Sequence, residues 1–275
     1  MKQNYKKFST LFLMLVIALQ VYSQCKIENK SFQAGEETEY DLYVKMGFLS
    51  TKGGLAKMKT IATTYEGKDA YKMTMTSSTK GMARKIFRMD DTLSCYMSKE
   101  MVPLAYLKDA HEGGDYTRER VGYSYPGNGL VTVRTVRHKN GDFKFDESLT
   151  FKNCTYDLMS VVFFARTLDF SKLKSGTPVT LDFVSGKKKR NMQVRYDGTE
   201  KIKANNNVKY SCIKLTLRIA DDAFEDEKDA MKVYITDDDN RMIVKMESKL
   251  NFGSTQAVLK RYKGIKYPIG SKNNY

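Results

Sequence analysis

The sequence predicts a mainly β protein in which a large curved antiparallel sheet, a half-barrel or barrel, wraps one buried α-helix. Most of the chain beyond residue 24 consists of segments in which apolar and polar residues alternate, as in half-buried strands. Turn signals such as Glu66-Gly67 and Asn140-Gly141 separate these segments. Only residues 155–170 combine a long apolar run with the features of a helix.

The N-terminus has the pattern of an export signal. Three lysines lie in the first seven residues, and the apolar run that follows, 8–19, is short for a transmembrane span. Val21 and Ser23 suit the −3 and −1 positions of a signal-peptidase site. We therefore predict that residues 1–23 are a signal peptide and that residues 24–275 form a single mainly β domain. An uncleaved membrane anchor is the alternative.

The cysteines leave two questions open. Cys25 lies just after the apolar run and could carry a lipid anchor, but Gln24 stands where a small residue is usual, which disfavours lipidation. An exported protein can hold disulfides, and Cys25, Cys95, Cys154 and Cys212 allow three full pairings. Because Cys95 and Cys212 lie inside strand-like segments, we expect them to be free, buried thiols.

The charge balance restricts the partners. The formal net charge is +15, and loss of the three signal lysines leaves about +12. An exported basic protein is not expected to bind nucleic acid. We expect a lipid, a lipoprotein or an anionic glycan as partner, with peripheral membrane contact. The basic run at 187–190 follows a turn signal and is interpreted as a solvated hairpin tip.

The predicted strands follow from alternation and are bounded by Gly, Asn, Asp and Pro. In chain order they cover residues 38–46, 55–65, 70–76, 91–98, 106–111, 116–125, 130–137, 143–151, 177–185, 190–196, 210–220, 231–236, 242–250 and 256–262. Residues 79–91 fit either a short helix or a strand.

The predicted helix covers residues 155–170. Thr155 is a suitable N-cap, and Asp157 would lie in the first turn, where a carboxylate suits the helix dipole. An all-strand interpretation competes, because residues 161–164 are β-prone. Arg166 is the lone cation in this apolar stretch and needs a carboxylate or carbonyl partner if it is buried. One face of the helix would carry Leu158, Val161, Val162, Ala165 and Leu168.

Sequence motifs of catalysis are absent. The chain has two histidines and no zinc-protease, nucleophile-elbow, phosphate-loop or dinucleotide motif. The acidic run at 237–240 lacks the ligand spacing of a calcium loop. We therefore predict no cofactor and no metal. An enzyme is the least supported hypothesis, and it would need carboxylates such as Glu36, Asp157 or Asp237 to converge with Arg166 or Arg241.

Three segments, in order along the chain, carry a family resemblance. They are Phe32-x-x-Gly35-Glu36-x-x-x-Tyr40, Tyr156-Asp157-Leu158-x-Ser160 followed by Phe164-x-Arg166, and Tyr234-x-Thr236-Asp237-x-x-x-Arg241 followed by Leu250-x-x-Gly253-x-x-x-x-x-Leu259. Together they resemble DUF3108, a family of uncharacterised bacterial exported proteins. The resemblance implies an exported, mostly β protein of the cell envelope. Its motifs supply the candidate ligand-binding or structural residues, namely Glu36, Asp157, Ser160, Arg166, Asp237 and Arg241.

Two functions are compatible with these features. In the first, the protein is a periplasmic binding or carrier module, and the curved sheet holds an apolar or amphipathic envelope ligand against the helix. This step rests on a general similarity to periplasmic carriers of lipids and lipoproteins. In the second, it is a structural or assembly protein that acts on protein partners through its sheet edge or its acidic loop, residues 221–227.

Overall fold

The computed structural model describes residues 25–46, 49–127, 129–219, 231–250, 253–270 and 272–273. In these residues one sheet of 16 strands dominates the molecule, so the predicted mainly β class is confirmed. The predicted signal peptide and the acidic loop lie outside the described residues.

The first half of the sheet is an antiparallel meander in which each strand pairs with the next. Two of its turns, at Glu66-Gly67 and Asn140-Gly141, place both residues at positive φ, the conformation that matches the twist of paired strands. The strands are β1 (Glu37–Met46), β2 (Leu49–Tyr65), β3 (Lys68–Thr79), β4 (Met89–Ser98), β5 (Pro103–Glu112), β6 (Asp115–Ser124), β7 (Val131–Lys139) and β8 (Asp142–Phe151).

The second half is another meander, and it meets the first where β15 pairs with β1. Its first strand is parallel to the second, and the remaining pairs are antiparallel. The strands are β9 (Thr155–Tyr156), β10 (Pro178–Ser185), β11 (Lys188–Lys203), β12 (Lys209–Ile219), β13 (Met231–Thr236), β14 (Ile243–Leu250), β15 (Gly253–Lys263) and β16 (Lys272–Asn273), which pairs with β12.

The two ends of the sheet are close in sequence and in space. The order of strands runs from β8 to β9, and residues 152–154 connect these two strands directly. Lys189 of β11 donates through Nζ to the Thr150 carbonyl of β8, and Asn153 Nδ2 donates to Asp182 Oδ2 of β10 at 3.2 Å. The sheet is therefore barrel-like and nearly closed.

The predicted helix at 155–170 is shorter in the structure. It is α2, Ser160–Arg166, and a 3-10 turn, Phe170–Lys172, begins where the predicted helix ended. The prediction of Thr155 as N-cap is wrong, because Thr155 belongs to β9 and the helix begins after Asp157. Six of the seven residues of α2 are buried. The ambiguous residues 79–91 resolve into an exposed helix, α1 (Gly81–Ile86), followed by β4.

The cysteines divide into one disulfide and two free thiols. Cys25 is bonded to Cys154, which ties the start of the described chain to the β8–β9 connection. Cys95 and Cys212 are free and fully buried, as predicted.

Candidate functional site

The predicted site residues Glu36 and Arg166 meet inside the protein. Arg166 ends α2, and its two terminal nitrogens donate to Glu36 Oε1 at 2.6 Å and to Oε2 at 2.9 Å. Both side chains are almost fully buried. A bidentate arginine–carboxylate pair is the arrangement in which two buried charges best compensate each other.

The backbone around Glu36 is held by close packing. Gly35, with φ of 96°, turns the chain into β1, and its N–H donates to the Thr60 carbonyl at 2.8 Å. Gly264 lies against this turn, and a side chain there would begin 2.1 Å from the Gly35 carbonyl oxygen. The Gly35-Glu36 segment thus fixes where the carboxylate stands.

Arg166 also holds the turn between β13 and β14. It donates to the Asn240 carbonyl at 2.9 Å, and its guanidinium lies 5.0 Å from the ring centre of Phe32. The Asn240 side chain accepts from the Tyr267 N–H at 2.9 Å and donates to the Tyr267 carbonyl at 3.0 Å. Arg166 therefore connects α2, the start of β1, the β13–β14 turn and the C-terminal segment.

Asp237 and Arg241 lie in the same turn but outside the buried pair. Arg241 Nη1 lies 3.2 Å from Asp237 Oδ1, and its guanidinium is 5.2 Å from the ring centre of Phe170. Arg241 has φ of 48°, and Asp237 is exposed. This ion pair is partly exposed and joins the two sides of the turn.

Asp157 and Ser160 form the start of α2. The Asp157 carboxylate accepts the N–H groups of Met159 and Ser160, both at 2.9 Å, and the hydroxyl of Tyr123 at 3.0 Å. Ser160 Oγ accepts the Asp157 N–H at 2.8 Å. Burial raises the pKa of Asp157, and these donors oppose the rise. Burial and the nearby Asp157 carboxylate raise the pKa of the Cys95 thiol well above its ordinary value.

The predicted residues therefore do not form one catalytic cleft. Asp157 stands at the start of α2 and Arg166 at its end, while Asp237 points outward with Arg241. The space beside the Glu36–Arg166 pair is only about 10 Å³, on the scale of a single water molecule. Of the five residues that the enzyme hypothesis names, only Glu36 and Arg166 line this space. In the part of the chain that the structure describes, no group of three His, Cys, Asp or Glu side chains is placed to hold a metal ion.

A separate cavity of about 170 Å³ lies between the inner face of the sheet and the start of α2. Strands from both halves of the sheet line it, from β3 through β1 and β15 to β12, and its wall is almost entirely apolar. Ser248, Thr255 and Gln256 are its polar residues, and all three are half-buried. The apolar lining consists of Leu42, Met58, Met75, Leu158, Met159, Val161, Val162, Leu217, Met231, Met246 and Ala257.

Sequence reasoning missed this lining. Five methionines and no aromatic residue line the cavity. The usable signal was the unusual methionine content, 15 residues, several of them at inward positions of predicted strands such as Met58, Met75 and Met246. Methionine is flexible and polarisable, and it recurs where a protein surface must adapt to a ligand.

Comparison with known protein families shows to which family the chain belongs. A model for proteins of unknown function, DUF3108, matches residues 39–260. The chain belongs to the DUF3108 family. The match includes five of the six candidate residues and begins just after Glu36.

One solved structure supports the architecture of this DUF3108 protein. It is the crystal structure of a beta-barrel-like protein of the domain of unknown function DUF1849 from Brucella abortus. It superposes with a TM-score of 0.57 over 86% of this chain and 100% of that chain, at 8% sequence identity. At this identity the likeness concerns the fold alone. No curated protein matches the chain. Among the described residues, no helix has both the length and the apolar character needed to span a membrane.

Proposed function

We propose that this DUF3108 protein is an exported binding or carrier module for an apolar or amphipathic ligand of the cell envelope. The observation that carries the proposal is the 170 Å³ apolar cavity between the sheet and the start of the buried helix α2. An apolar cavity with a few polar groups is the usual form of a small-molecule site, and the interior of a barrel is a common place for one.

The lining suggests how the ligand is oriented. A dry apolar cavity of about 150 Å³ accepts benzene, so this one has room for an aromatic ring or a short length of acyl chain. The deepest wall residues, such as Met159 and Val161, are apolar and buried, whereas Ser248 and Thr255 are half-buried and cross-strand neighbours. An amphipathic molecule would place its tail against α2 and its polar group at Ser248 and Thr255.

Two features support export. The N-terminal lysines and apolar run have the pattern of a signal peptide. The Cys25–Cys154 disulfide fits an oxidising compartment such as the periplasm. Lipidation and disulfide formation both use the Cys25 sulfur, so the disulfide supports a protein without a lipid anchor at that residue.

The test uses the methionine methyl groups as reporters. The mature protein, labelled with ¹³C at its methionine methyls, is titrated with decanoate below its micelle concentration and followed by NMR. We expect saturable shifts of Met58, Met75, Met159, Met231 and Met246, which line the cavity. Met97 and Met192 are buried elsewhere in the core and serve as internal controls. Unchanged spectra, or equal shifts of all methyls, would contradict the proposal.

A matched pair of variants places the binding in the cavity. Ala257→Leu adds bulk to a buried wall residue, and we expect it to weaken decanoate binding at least tenfold. Thr63→Leu adds an apolar side chain at a half-buried position of β2 outside the cavity and should leave binding unchanged. Thermal unfolding of both variants verifies that they are folded.

The alternative of a structural or assembly protein would use the sheet edge. Strand β8 pairs only with β7 among the described strands, and most of its residues are exposed. Its exposed residues include Lys144, Asp146 and Glu147, and charged side chains on an edge strand are a common protection against the addition of a further strand. This edge therefore gives the alternative little support.

A further inference from the structure

The connection between β3 and β4, residues 80–88, is named here the α1 segment. It exposes three large apolar side chains: Met82 at 69%, Ile86 at 77% and Phe87 at 51%. No residue of α1 is buried. Single exposed apolar residues are ordinary, but three within six residues of one protruding segment form a patch of the kind that marks an interaction site.

The same segment is basic. It contains Lys80, Arg84, Lys85 and Arg88. The adjacent Asp90 binds Arg84 through two contacts of 2.7 Å and Arg88 at 3.0 Å. Lys80 and Lys85 are exposed and have no carboxylate partner among the described residues. The segment thus keeps a net positive charge beside its apolar side chains.

The α1 segment is held in place by the sheet. Thr79 Oγ1 accepts the Met89 N–H at 2.9 Å, which closes the base of the segment. The Ala83 side chain lies on Gly53 of β2, where a Cβ would begin 3.2 Å away, and Phe87 packs in the same way on Gly113. Met82 and Ile86 are left on the outer side. The patch is therefore presented by a fixed backbone.

The α1 segment and the apolar cavity lie toward the same ends of the strands. Leu42 of the cavity wall pairs with Gly54, and Gly54 pairs with Thr79, the last residue before the segment. Two strand spacings, about 10 Å, thus separate the cavity wall from the base of the segment. Val44, two residues beyond Leu42, lies beside Gly53, on which Ala83 rests.

We propose that the α1 segment docks this protein on the surface of an anionic lipid bilayer. Met82, Ile86 and Phe87 enter the boundary between headgroups and acyl chains, and Lys80 and Lys85 meet the lipid phosphates. Basic segments with exposed apolar residues bind membranes by these two contributions together. The net positive charge of the α1 segment favours an anionic lipid surface over a neutral apolar partner. The biological purpose of this docking rests on the proposed carrier function. Docking through the α1 segment places the bilayer beside the ligand cavity.

The test measures binding of the full mature protein to lipid vesicles by flotation. Vesicles with 30% phosphatidylglycerol in phosphatidylcholine are compared with vesicles of phosphatidylcholine alone. We expect binding to the anionic vesicles that weakens as salt is raised, and much weaker binding to neutral vesicles. Equal binding to both, or binding to neither, would overturn the proposal.

Two matched variants locate the docking surface. Ile86→Ser with Lys85→Gln removes one exposed isoleucine and one exposed lysine from the α1 segment. Ile61→Ser with Lys68→Gln also removes one isoleucine and one lysine. These residues are exposed on β2 and β3 near the turn that joins the two strands, away from the α1 segment. We expect the first variant to lose at least tenfold in partitioning onto anionic vesicles, and the second less than twofold. Equal losses would indicate an effect of net charge alone and would overturn the assignment to this segment.

The decanoate titration separates this inference from the carrier function. The Ile86→Ser, Lys85→Gln variant should bind decanoate with unchanged affinity, because neither residue lines the cavity. Loss of vesicle binding with decanoate binding retained supports docking through the segment. Vesicle binding by a protein that takes no decanoate would leave the docking surface standing and overturn the carrier function.

Discussion

Arg166 and Glu36 form a buried bidentate ion pair between residues 130 positions apart in sequence. The pair joins the end of α2 to the residue that precedes β1. The Arg166 guanidinium also reaches the Asn240 carbonyl, so three separate parts of the chain meet at one charged group. Neither charge is reached by bulk solvent to a significant extent, since Arg166 is 3% and Glu36 5% exposed.

Removing one partner of this pair should be strongly destabilising. Glu36→Gln leaves the Arg166 charge buried without its counterion, and we expect a loss of about 3–5 kcal/mol in the free energy of unfolding. The double variant Glu36→Gln, Arg166→Met removes both charges and should recover part of that loss. Urea denaturation of Glu36→Gln, of Arg166→Met and of the double variant measures the coupling between the two residues.

An exposed pair provides the control. Arg134 and Asp146 form a two-contact ion pair across β7 and β8, but the Arg134 side chain is 67% exposed. Arg134→Met should cost less than about 1 kcal/mol, because solvent screens this pair. A loss as small as this for Glu36→Gln would show that the buried pair does not hold α2 in place.

The chemistry of Arg166 was predictable from sequence, but its partner was not. A lone cation in an apolar stretch needs a carboxylate or a carbonyl, and Arg166 has both. The carboxylate that supplies the charge is 130 residues away, and no local pattern specifies such a contact. The same holds for the cavity. Alternation shows which face of a strand turns inward, but not that Leu42, Met75 and Leu217 come together across several strands.

The predicted start of the helix was wrong because Thr155 pairs with a strand that is distant in sequence. Thr155 and Asp157 are both acceptable N-caps by residue type, and the apolar run does not choose between them. In the structure Thr155 pairs in β9 with β10, and Asp157 accepts the first N–H groups of the helix. A short parallel strand whose partner lies beyond the helix is a tertiary feature, so propensity alone could not place the helix start.

The sequence left three cysteine pairings open, and the structure has the Cys25–Cys154 disulfide. This disulfide leads to a second prediction. Cys25–Cys154 closes a loop with a sequence separation of 129, and loop-closure entropy assigns such a cross-link about 5 kcal/mol. Cys25→Ser with Cys154→Ser should lower the free energy of unfolding by that order. Cys212→Ala is the matched control for loss of a cysteine outside the disulfide, with its own packing cost.

Thiol titration checks the pairing independently. Without reductant, the denatured protein should show two reactive thiols, Cys95 and Cys212, and after reduction it should show four. The native protein should react slowly, because both free thiols are fully buried. Four reactive thiols in the unreduced, denatured protein would show that the disulfide is not formed.

The burial of Asp91 in β4 leads us to expect that the free energy of unfolding depends on pH. Burial, and then the nearby Glu112 carboxylate, raise the pKa of Asp91 from 3.8 to about 6, while Lys108 and the His111 backbone oppose the rise. Its Oδ1 atom is buried without a hydrogen-bond partner among the described residues. Between pH 4 and pH 6 the folded protein therefore binds this proton more tightly than the unfolded chain does.

The contribution of Asp91 to stability is consequently largest below its unfolded pKa and falls as the pH rises to about 6. Since the group is only half-buried, solvent screening limits the change to about 1–2 kcal/mol. Asp91→Asn should remove this pH dependence, so that the variant gains stability relative to the natural protein at pH 7 but not at pH 3.5. Asp69→Asn, at an exposed position of β3, is the control and should leave the profile unchanged. Parallel urea-unfolding profiles of the natural and Asp91→Asn proteins across this range would contradict a buried, destabilised carboxylate at this position.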